Sequence, residues 1–204
     1  MSSTLIIIAI GAVTSLVGAL TAYFLLSTKE KRRKKEKNVD GEYAILQKYI
    51  QNFAMVPSFR AFSKKEAIEK LVEIAHERFP EIVLNVNHAK EAVFAREESM
   101  PTGLDNGIAV PHGRSDGVSQ ITGVLALVDN SDNENGIIPD YDTIDHSKIQ
   151  ILCLTLIPES INTPYLQLIA AFIRILQDVE NREQLLSCKN ASQMNNFFNS
   201  YLGC

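Results

Sequence analysis

Cysteine is scarce in this sequence, and the patterns that would hold a metal ion are missing from it. The 204 residues include three cysteines, Cys153, Cys188 and Cys204, and no two of them are spaced as CxxC. A disulfide framework is therefore excluded. A structural zinc site is not indicated either, because the four histidines do not repeat at the spacing of zinc ligands. Cys153 lies inside the apolar run IQILCLTLI, where we expect a buried, reduced thiol.

Proline and glycine are too few for a fibrous or low-complexity chain. The sequence has seven prolines and ten glycines, and this composition excludes collagen-like and repetitive structures. Its 46% of hydrophobic residues supports a real core, and its 22% of charged residues is too low for wholesale disorder. The length suits one globular domain better than two.

Charge is missing altogether from residues 1–28. Within them, Leu5–Leu26 gives 22 residues, about 33 Å as a helix, against a hydrocarbon core of roughly 30 Å. Residues 29–37 (KEKRRKKEK) then carry seven basic and two acidic side chains, which predicts that the following part of the chain is cytoplasmic. A cleaved signal peptide would carry its positive charge before the apolar stretch. We therefore predict a single-pass transmembrane anchor at 1–28 in the inner membrane and a basic juxtamembrane linker at 29–40.

The rest of the chain is acidic, which argues against nucleic acid as a partner. The residues after position 37 carry 13 basic and 22 acidic side chains, whereas a nucleic-acid binder needs positive charge on its folded domain. In the predicted membrane helix, small residues share one face: Gly11, Ser15, Gly18 and Ala22. Such a stripe permits dimerisation through the membrane helix. Small residues are also simply common in membrane helices, so self-association stays open.

Periodicity predicts helices that alternate with strands after residue 40. Ser63 and Glu66 form a capping box, and Pro80 ends the helix that it begins. The two longest strand-like runs are apolar almost throughout, as in strands that are covered on both faces. We therefore predict an α/β fold with helices on both faces of a sheet. The predicted helices are Glu42–Met55, Ser63 to Phe79, Asn85 or Asn87 to about Glu98, Leu166 to Leu176, around Arg182–Ser187 and Ala191–Leu202; the predicted strands are Gly107–Val110, Ile121–Val128 and Ile149–Ile157.

One stretch, from Arg96 to Arg114, combines the residue types that phosphoryl transfer requires. We expect a short strand to end at Val110, Pro111 to fix the backbone and His112 to project from a turn beside open space at Gly113. Gly103 and Gly107 would let the preceding loop come close, and Arg96 and Arg114 would bring guanidinium groups to a phosphoryl group. A largely neutral imidazole is a nucleophile near pH 7. The residues alone equally fit a turn histidine that is held by the backbone.

The pattern RE-x4-TG-x3-GIAVPHGR, which runs from Arg96 to Arg114, resembles an active-site signature. It is similar to that of the fructose/mannitol-type IIA domains of the bacterial phosphoenolpyruvate:sugar phosphotransferase system, including the nitrogen-regulatory branch. The resemblance covers roughly residues 58–203. It implies a mannitol-type IIA fold, a mixed β-sheet sandwiched by helices, at 58–204. The helical periodicity before it predicts a connecting helix at 41–57.

The resemblance also implies roles for individual residues. In the family, the histidine after the proline accepts a phosphoryl group from phospho-HPr and passes it to a IIB domain. By resemblance, His112 is the phosphoacceptor, Arg96 steadies the phosphoryl oxygens, and Thr102 and Gly103 shape the pocket, with Arg114 in support. No cofactor or metal is implied, because donor and acceptor are both proteins.

One position departs from the family pattern. Many members carry a second histidine after the long strand, and Tyr165 aligns with it here. Tyrosine donates a hydrogen bond but lacks the charge of imidazole near neutral pH. Three hypotheses therefore stand: a membrane-anchored phosphocarrier, which is a phosphotransferase component with a phosphohistidine intermediate; a regulatory IIA-like module that acts on a membrane or cytosolic partner without onward transfer; and a structural adaptor.

Overall fold

The computed structural model of the chain describes residues 41–130, 138, 140–161 and 164–202. The predicted anchor at 1–28 and the basic linker at 29–40 lie outside the described residues. Within the described ranges, no helix is long and apolar enough to cross a membrane. From Glu42 onward, the chain forms one compact unit.

Helices and strands follow one another along this unit as the α/β prediction requires. In chain order, the elements are α1 (residues 41–49), a 3-10 turn (Ile50–Asn52), β1 (Phe53–Phe59), α2 (Lys64–Arg78), α3 (Val86–Ser99), β2 (Ile108–Ala109), β3 (His112–Ser115), β4 (Thr122–Val128), β5 (Ile151–Pro158), α4 (Pro164–Gln177), α5 (Val179–Leu186) and α6 (Ala191–Leu202).

Side-chain caps begin α2 and α3 where the sequence predicts them. Ser63 Oγ accepts a hydrogen bond from the Glu66 N–H at 3.1 Å, and Glu66 Oε2 accepts one from the Phe62 N–H at 2.7 Å. Of the two candidate caps for α3, Asn85 is the cap, because its Oδ1 accepts from the N–H groups of Asn87 and His88. Both caps satisfy backbone donors that a helix start leaves without partners.

The sheet is mixed, and its two central strands are the ones with continuous apolar sequence. The strand order is β1-β4-β5, and β2 and β3 follow each other along the other edge of β5. β4 and β5 are antiparallel, whereas β1 pairs with β4, and β2 and β3 pair with β5, in parallel. Every residue of β4 and β5 is buried, as expected for strands with helices on both faces.

Two hydrophobic cores lie on opposite faces of the sheet, which confirms the mixed sheet sandwiched by helices. The alternation of side chains along β5 divides them: Leu152, Leu154 and Leu156 join one core, and Ile151, Cys153 and Ile157 join the other. The first core is completed by α2 and α3, and the second by α1, α4, α5 and α6. The helical residues in the first core are Ala67, Ile68, Leu71, Val72, Ala75, Ala89 and Val93; those in the second include Leu46, Leu168, Phe172, Ile175, Leu185, Met194 and Phe198.

The predicted helix Glu42–Met55 is wrong at its C-terminal end. Its helical part is α1, which ends at residue 49, and β1 takes the chain from Phe53. The segment around Pro57 resists helix, because proline has no N–H and restricts the residue before it. An edge strand tolerates that proline, and the pairing of β1 with β4 is irregular between Val56 and Phe59. Residues 53–57 are therefore part of the sheet and not of a connecting helix.

Candidate phosphoacceptor site

The histidine singled out by the sequence stands at the start of an edge strand. β2 pairs with β5 at Ile108 and Ala109, and β3 resumes the pairing with His112 opposite Thr155. Between them, the Pro111 carbonyl accepts a hydrogen bond from the Thr155 N–H at 2.9 Å, so the chain stays on the sheet. The expectation that His112 projects from a turn is therefore wrong: it is the first residue of β3, and the sheet fixes its backbone.

Gly113 determines which way the His112 side chain points. A Cβ atom on Gly113 would lie 2.6 Å from the backbone nitrogen of Val93, so α3 packs directly against this glycine. The predicted open space at Gly113 is thus filled by the backbone of α3. Because side chains alternate along a strand, His112 and Arg114 point to the opposite face, toward the start of α4.

Three side chains meet on that face. The ring centroids of His112 and Tyr165 are 6.5 Å apart, so the tyrosine lies next to the histidine. The guanidinium carbon of Arg114 lies 6.0 Å from the centroid of the Tyr165 ring, within cation–π range. Arg114 Nη2 also donates to the Glu159 carbonyl at 2.6 Å, which ties the guanidinium to the end of β5.

The imidazole of His112 is half-buried, and one backbone bond selects its tautomer. His112 Nδ1 lies 2.9 Å from the Val110 carbonyl oxygen. A carbonyl only accepts hydrogen bonds, so Nδ1 carries a proton and Nε2 of the neutral ring keeps its lone pair. Burial lowers the pKa of His112 below 6.5, and the Arg96 guanidinium lowers it further, while the Val110 bond and the charge of Glu97 oppose the shift. The lowered pKa favours the neutral ring at pH 7, and Nε2 is then the ring nitrogen with an available lone pair.

Arg96 lies in the last turn of α3, within electrostatic range of His112. Its Nη1 donates to the Met100 carbonyl at 2.7 Å, which holds the side chain against the loop that leaves the helix. Two arginines therefore lie in this region: Arg96 acts electrostatically on His112, and Arg114 contacts the ring of Tyr165.

The loop that contains Thr102 and Gly103 lies against β2. The Val110 N–H donates to the Thr102 carbonyl at 3.1 Å, and Gly103 forms a bridge with Ala109. A Cβ atom on Gly103 would collide with the Asp142 carbonyl oxygen, so this close approach requires glycine. Gly107 has a φ of +70° and makes the turn between the two segments. The glycines therefore allow this loop to pack closely against β2.

Sequence reasoning missed the buried polar group beneath this loop. Glu97 is only 4% exposed, and its carboxylate accepts hydrogen bonds from the N–H and the hydroxyl of Thr102 at 3.1 and 2.6 Å. The Tyr141 hydroxyl lies 3.1 Å from Thr102 Oγ1. Glu97 could have been found from the sequence, because it is the second residue of the RE pair in the motif. Tyr141 lies in the long loop before β5, and no sequence pattern points to it.

The other three histidines take no part in this group. His76 Nδ1 bonds to the Val83 carbonyl at 2.8 Å, His88 pairs with Asp116 at 2.8 Å, and His146 is exposed in the loop before β5. Within the residues that the structure describes, no group of three or more histidine, cysteine or acidic side chains could hold a metal ion.

A family model fits most of the chain. The model for the phosphoenolpyruvate-dependent sugar phosphotransferase system, EIIA 2, matches residues 51–201. This range begins within the 3-10 turn before β1 and ends in α6, so it spans the whole sheet and the site around His112.

Relatives and solved structures show the same similarity. A nitrogen regulatory protein of Bradyrhizobium diazoefficiens is 26% identical over 138 residues, which cover 68% of this chain and 84% of that protein. A fructose-specific EIIA component of Haloferax volcanii is 30% identical over 128 residues, 63% of this chain and 77% of that protein. The crystal structure of the nitrogen regulatory protein IIA-Ntr from Neisseria meningitidis superposes with a TM-score of 0.61 at 25% identity, covering 72% of this chain and 97% of that one.

Proposed function

Because the chain belongs to the EIIA type 2 family of the phosphoenolpyruvate-dependent sugar phosphotransferase system, we propose that His112 is its phosphoacceptor. In this proposal, the protein takes a phosphoryl group from an HPr-like phosphocarrier and passes it to a IIB domain. The single observation that carries the proposal is the bond from His112 Nδ1 to the Val110 carbonyl, because it leaves Nε2 as the nucleophile.

The proposed phosphoryl transfer requires no metal ion and no external base. The Nε2 lone pair of His112 attacks the phosphorus of the donor phosphohistidine, the donor P–N bond breaks, and its electron pair returns to the donor imidazole. Positive charge develops on the His112 ring as the new P–N bond forms. The Val110 carbonyl faces Nδ1–H and stabilises that charge, as a preorganised dipole does. No proton has to leave the site during the exchange.

Arginine supplies the charge that the transferred group needs. Guanidinium groups bind phosphoryl oxygens through several directed N–H donors. In the proposed mechanism, Arg96 meets these oxygens on one side, and Tyr165 donates its hydroxyl proton to them on the other. Arg114 stacks on the Tyr165 ring and adds positive charge there. A phenol stays neutral near pH 7, whereas an imidazole can carry positive charge. We therefore expect Tyr165 to stabilise the phosphoryl group less than the second family histidine would.

One observation favours a second candidate function, that of a regulatory module. Tyr165 stands where many family members carry a histidine, and one of the similar proteins is a nitrogen regulatory protein. If tyrosine supports acceptance but not onward transfer, the phosphorylated state of His112 would act as a signal to a membrane or cytosolic target.

We further propose that residues 1–28 anchor the protein in the inner membrane and that the domain is cytosolic. The support is the uncharged stretch Leu5–Leu26, followed at once by the basic linker.

The proposal is tested by incubating the full chain, in detergent, with the general phosphotransferase proteins and labelled phosphoenolpyruvate. We expect the label on wild-type protein and on the control His88→Ala, because His88 is exposed and pairs with Asp116. His112→Ala should carry none, and a label that persists in this variant would refute the assignment. A chase with a IIB domain then separates the two functions: a phosphocarrier loses the label, whereas a regulatory module retains it.

A further inference from the structure

The buried carboxylate of Glu97 holds the loop that contains Thr102. Glu97 follows Arg96 in the last turns of α3, and its two oxygens accept from the two donors of a single residue, the N–H and the hydroxyl of Thr102. The hydroxyl bond, at 2.6 Å, has the length of a charge-assisted hydrogen bond. A carboxylate offers two acceptors in a fixed geometry, and no neutral side chain of the same shape offers both.

The Tyr141 hydroxyl makes a second buried contact with Thr102 Oγ1. Since the one hydroxyl proton of Thr102 goes to Glu97, the phenol of Tyr141 must be the donor in its bond to Thr102 Oγ1. Burial raises the pKa of Tyr141, and the nearby charge of Glu97 adds to the shift, so the phenol keeps the proton that it donates. Both partners of Thr102 are thus buried and oriented.

A continuous set of bonds leads from this group to the imidazole. The Thr102 carbonyl accepts from the Val110 N–H at 3.1 Å, and the carbonyl of the same Val110 accepts from His112 Nδ1–H at 2.9 Å. The orientation of residue 110 therefore depends on Thr102, and the orientation of Thr102 depends on Glu97. Val110 is buried and Pro111 restricts its backbone angles, so the N–H and the carbonyl of Val110 reorient together.

We propose that Glu97 is a positioning residue for phosphoryl acceptance, which acts through Thr102 and Val110 to fix the tautomer and the direction of the His112 ring. This inference rests on the proposed function for its kinetic consequence. Its structural consequence belongs to the unphosphorylated protein: Glu97 keeps the proton on Nδ1 and the lone pair on Nε2.

The test compares Glu97→Gln with the matched control Glu98→Gln, because Glu98 is adjacent, carries the same charge and is exposed. In Glu97→Gln, we expect nitrogen-15 spectra of His112 to show a mixture of tautomers, and phosphoryl acceptance to slow roughly tenfold or more, as misplacement of a reacting group does. The His112 titration midpoint should also fall, since Glu97 opposes the lowering of that pKa. In Glu98→Gln, tautomer and rate should stay as in the wild type.

A second variant keeps the inference testable if Glu97→Gln fails to fold. Thr102→Val keeps the shape of the side chain and removes only its hydroxyl, so it should mix the His112 tautomers in the same direction. If Glu97 acts through Thr102, the double variant should be no slower than the slower single variant. Additive rate losses, or a wild-type tautomer in both single variants, would overturn the inference. A wild-type protein that accepts no phosphoryl group would refute the proposed function instead, while the tautomer measurement would still decide the role of Glu97.

Discussion

At the scale of single residues, the chain contains two histidines whose surroundings shift their pKa values in opposite directions. Burial lowers the pKa of His112 below 6.5, whereas the bond to the Asp116 carboxylate raises that of the exposed His88 above it. These surroundings favour the neutral form of the His112 ring and the charged form of the His88 ring. The same residue type therefore has two chemical characters in one domain, and the difference comes from what each ring contacts.

This contrast predicts the order of two titrations in one sample. In proton or nitrogen NMR, His112 should titrate below 6.5 and His88 above it. As the folded pKa of His112 lies below the unfolded one, the unfolded state binds more protons in that interval, so the stability that this group contributes is lost as the pH falls. Phosphoryl acceptance should fall only below the His112 midpoint. The reverse order of the two midpoints would contradict the described environment of His112.

At the scale of elements, the close packing of α3 against β3 orients the site. Gly113 lies against the backbone of α3 at Ala92 and Val93, so helix and strand approach more closely there than any side chain would allow. α3 also carries Arg96 and Glu97, and β3 carries His112 and Arg114. The distance between these two elements therefore sets the distance between the arginine and the imidazole.

Gly113→Ala should separate the two elements. The added Cβ would lie 2.6 Å from the Val93 nitrogen and 2.8 Å from the Ala92 carbonyl carbon, and overpacking of this kind costs about 1–3 kcal/mol. We expect chemical denaturation to show this loss in the free energy of unfolding, together with slower labelling of His112. Gly41→Ala is the control, since nothing lies within 4 Å of a Cβ added there. Equal stability of the two variants would show that the contact at Gly113 is not tight.

The elements that the sequence predicts well are those with local signals. Ser63 and Asn85 cap helices through their own side chains, and the apolar runs of β4 and β5 indicate burial on both faces. β1 was not predicted, because its first residues continue the apolar pattern of the preceding helix, and β3 was not predicted, because it has only four residues. The histidine and its motif could be found from the sequence. The buried contacts of Thr102 with Glu97 and Tyr141 could not, since Tyr141 is 39 residues away along the chain.

At the scale of the whole molecule, the proposed anchor predicts how the full chain fractionates. An apolar helix holds a protein in the bilayer by hydrophobic burial, whereas salt screens the attraction of a basic linker to anionic lipid. After expression in bacteria, the full chain should sediment with membranes, stay there through a high-salt wash and be released by detergent. Release by salt alone would leave the linker as the only membrane contact, and recovery without membranes would refute the anchor.

We propose that Nε2 of His112, left free by the bond from Nδ1 to the Val110 carbonyl, carries the phosphoryl group. The most direct measurement is phosphorus–nitrogen coupling by NMR on the full chain, labelled with nitrogen-15 on histidine and phosphorylated by the general phosphotransferase proteins. We predict one coupled phosphorus on Nε2 of His112, with the proton retained on Nδ1. Phosphorus on Nδ1, or on any other residue, would contradict it.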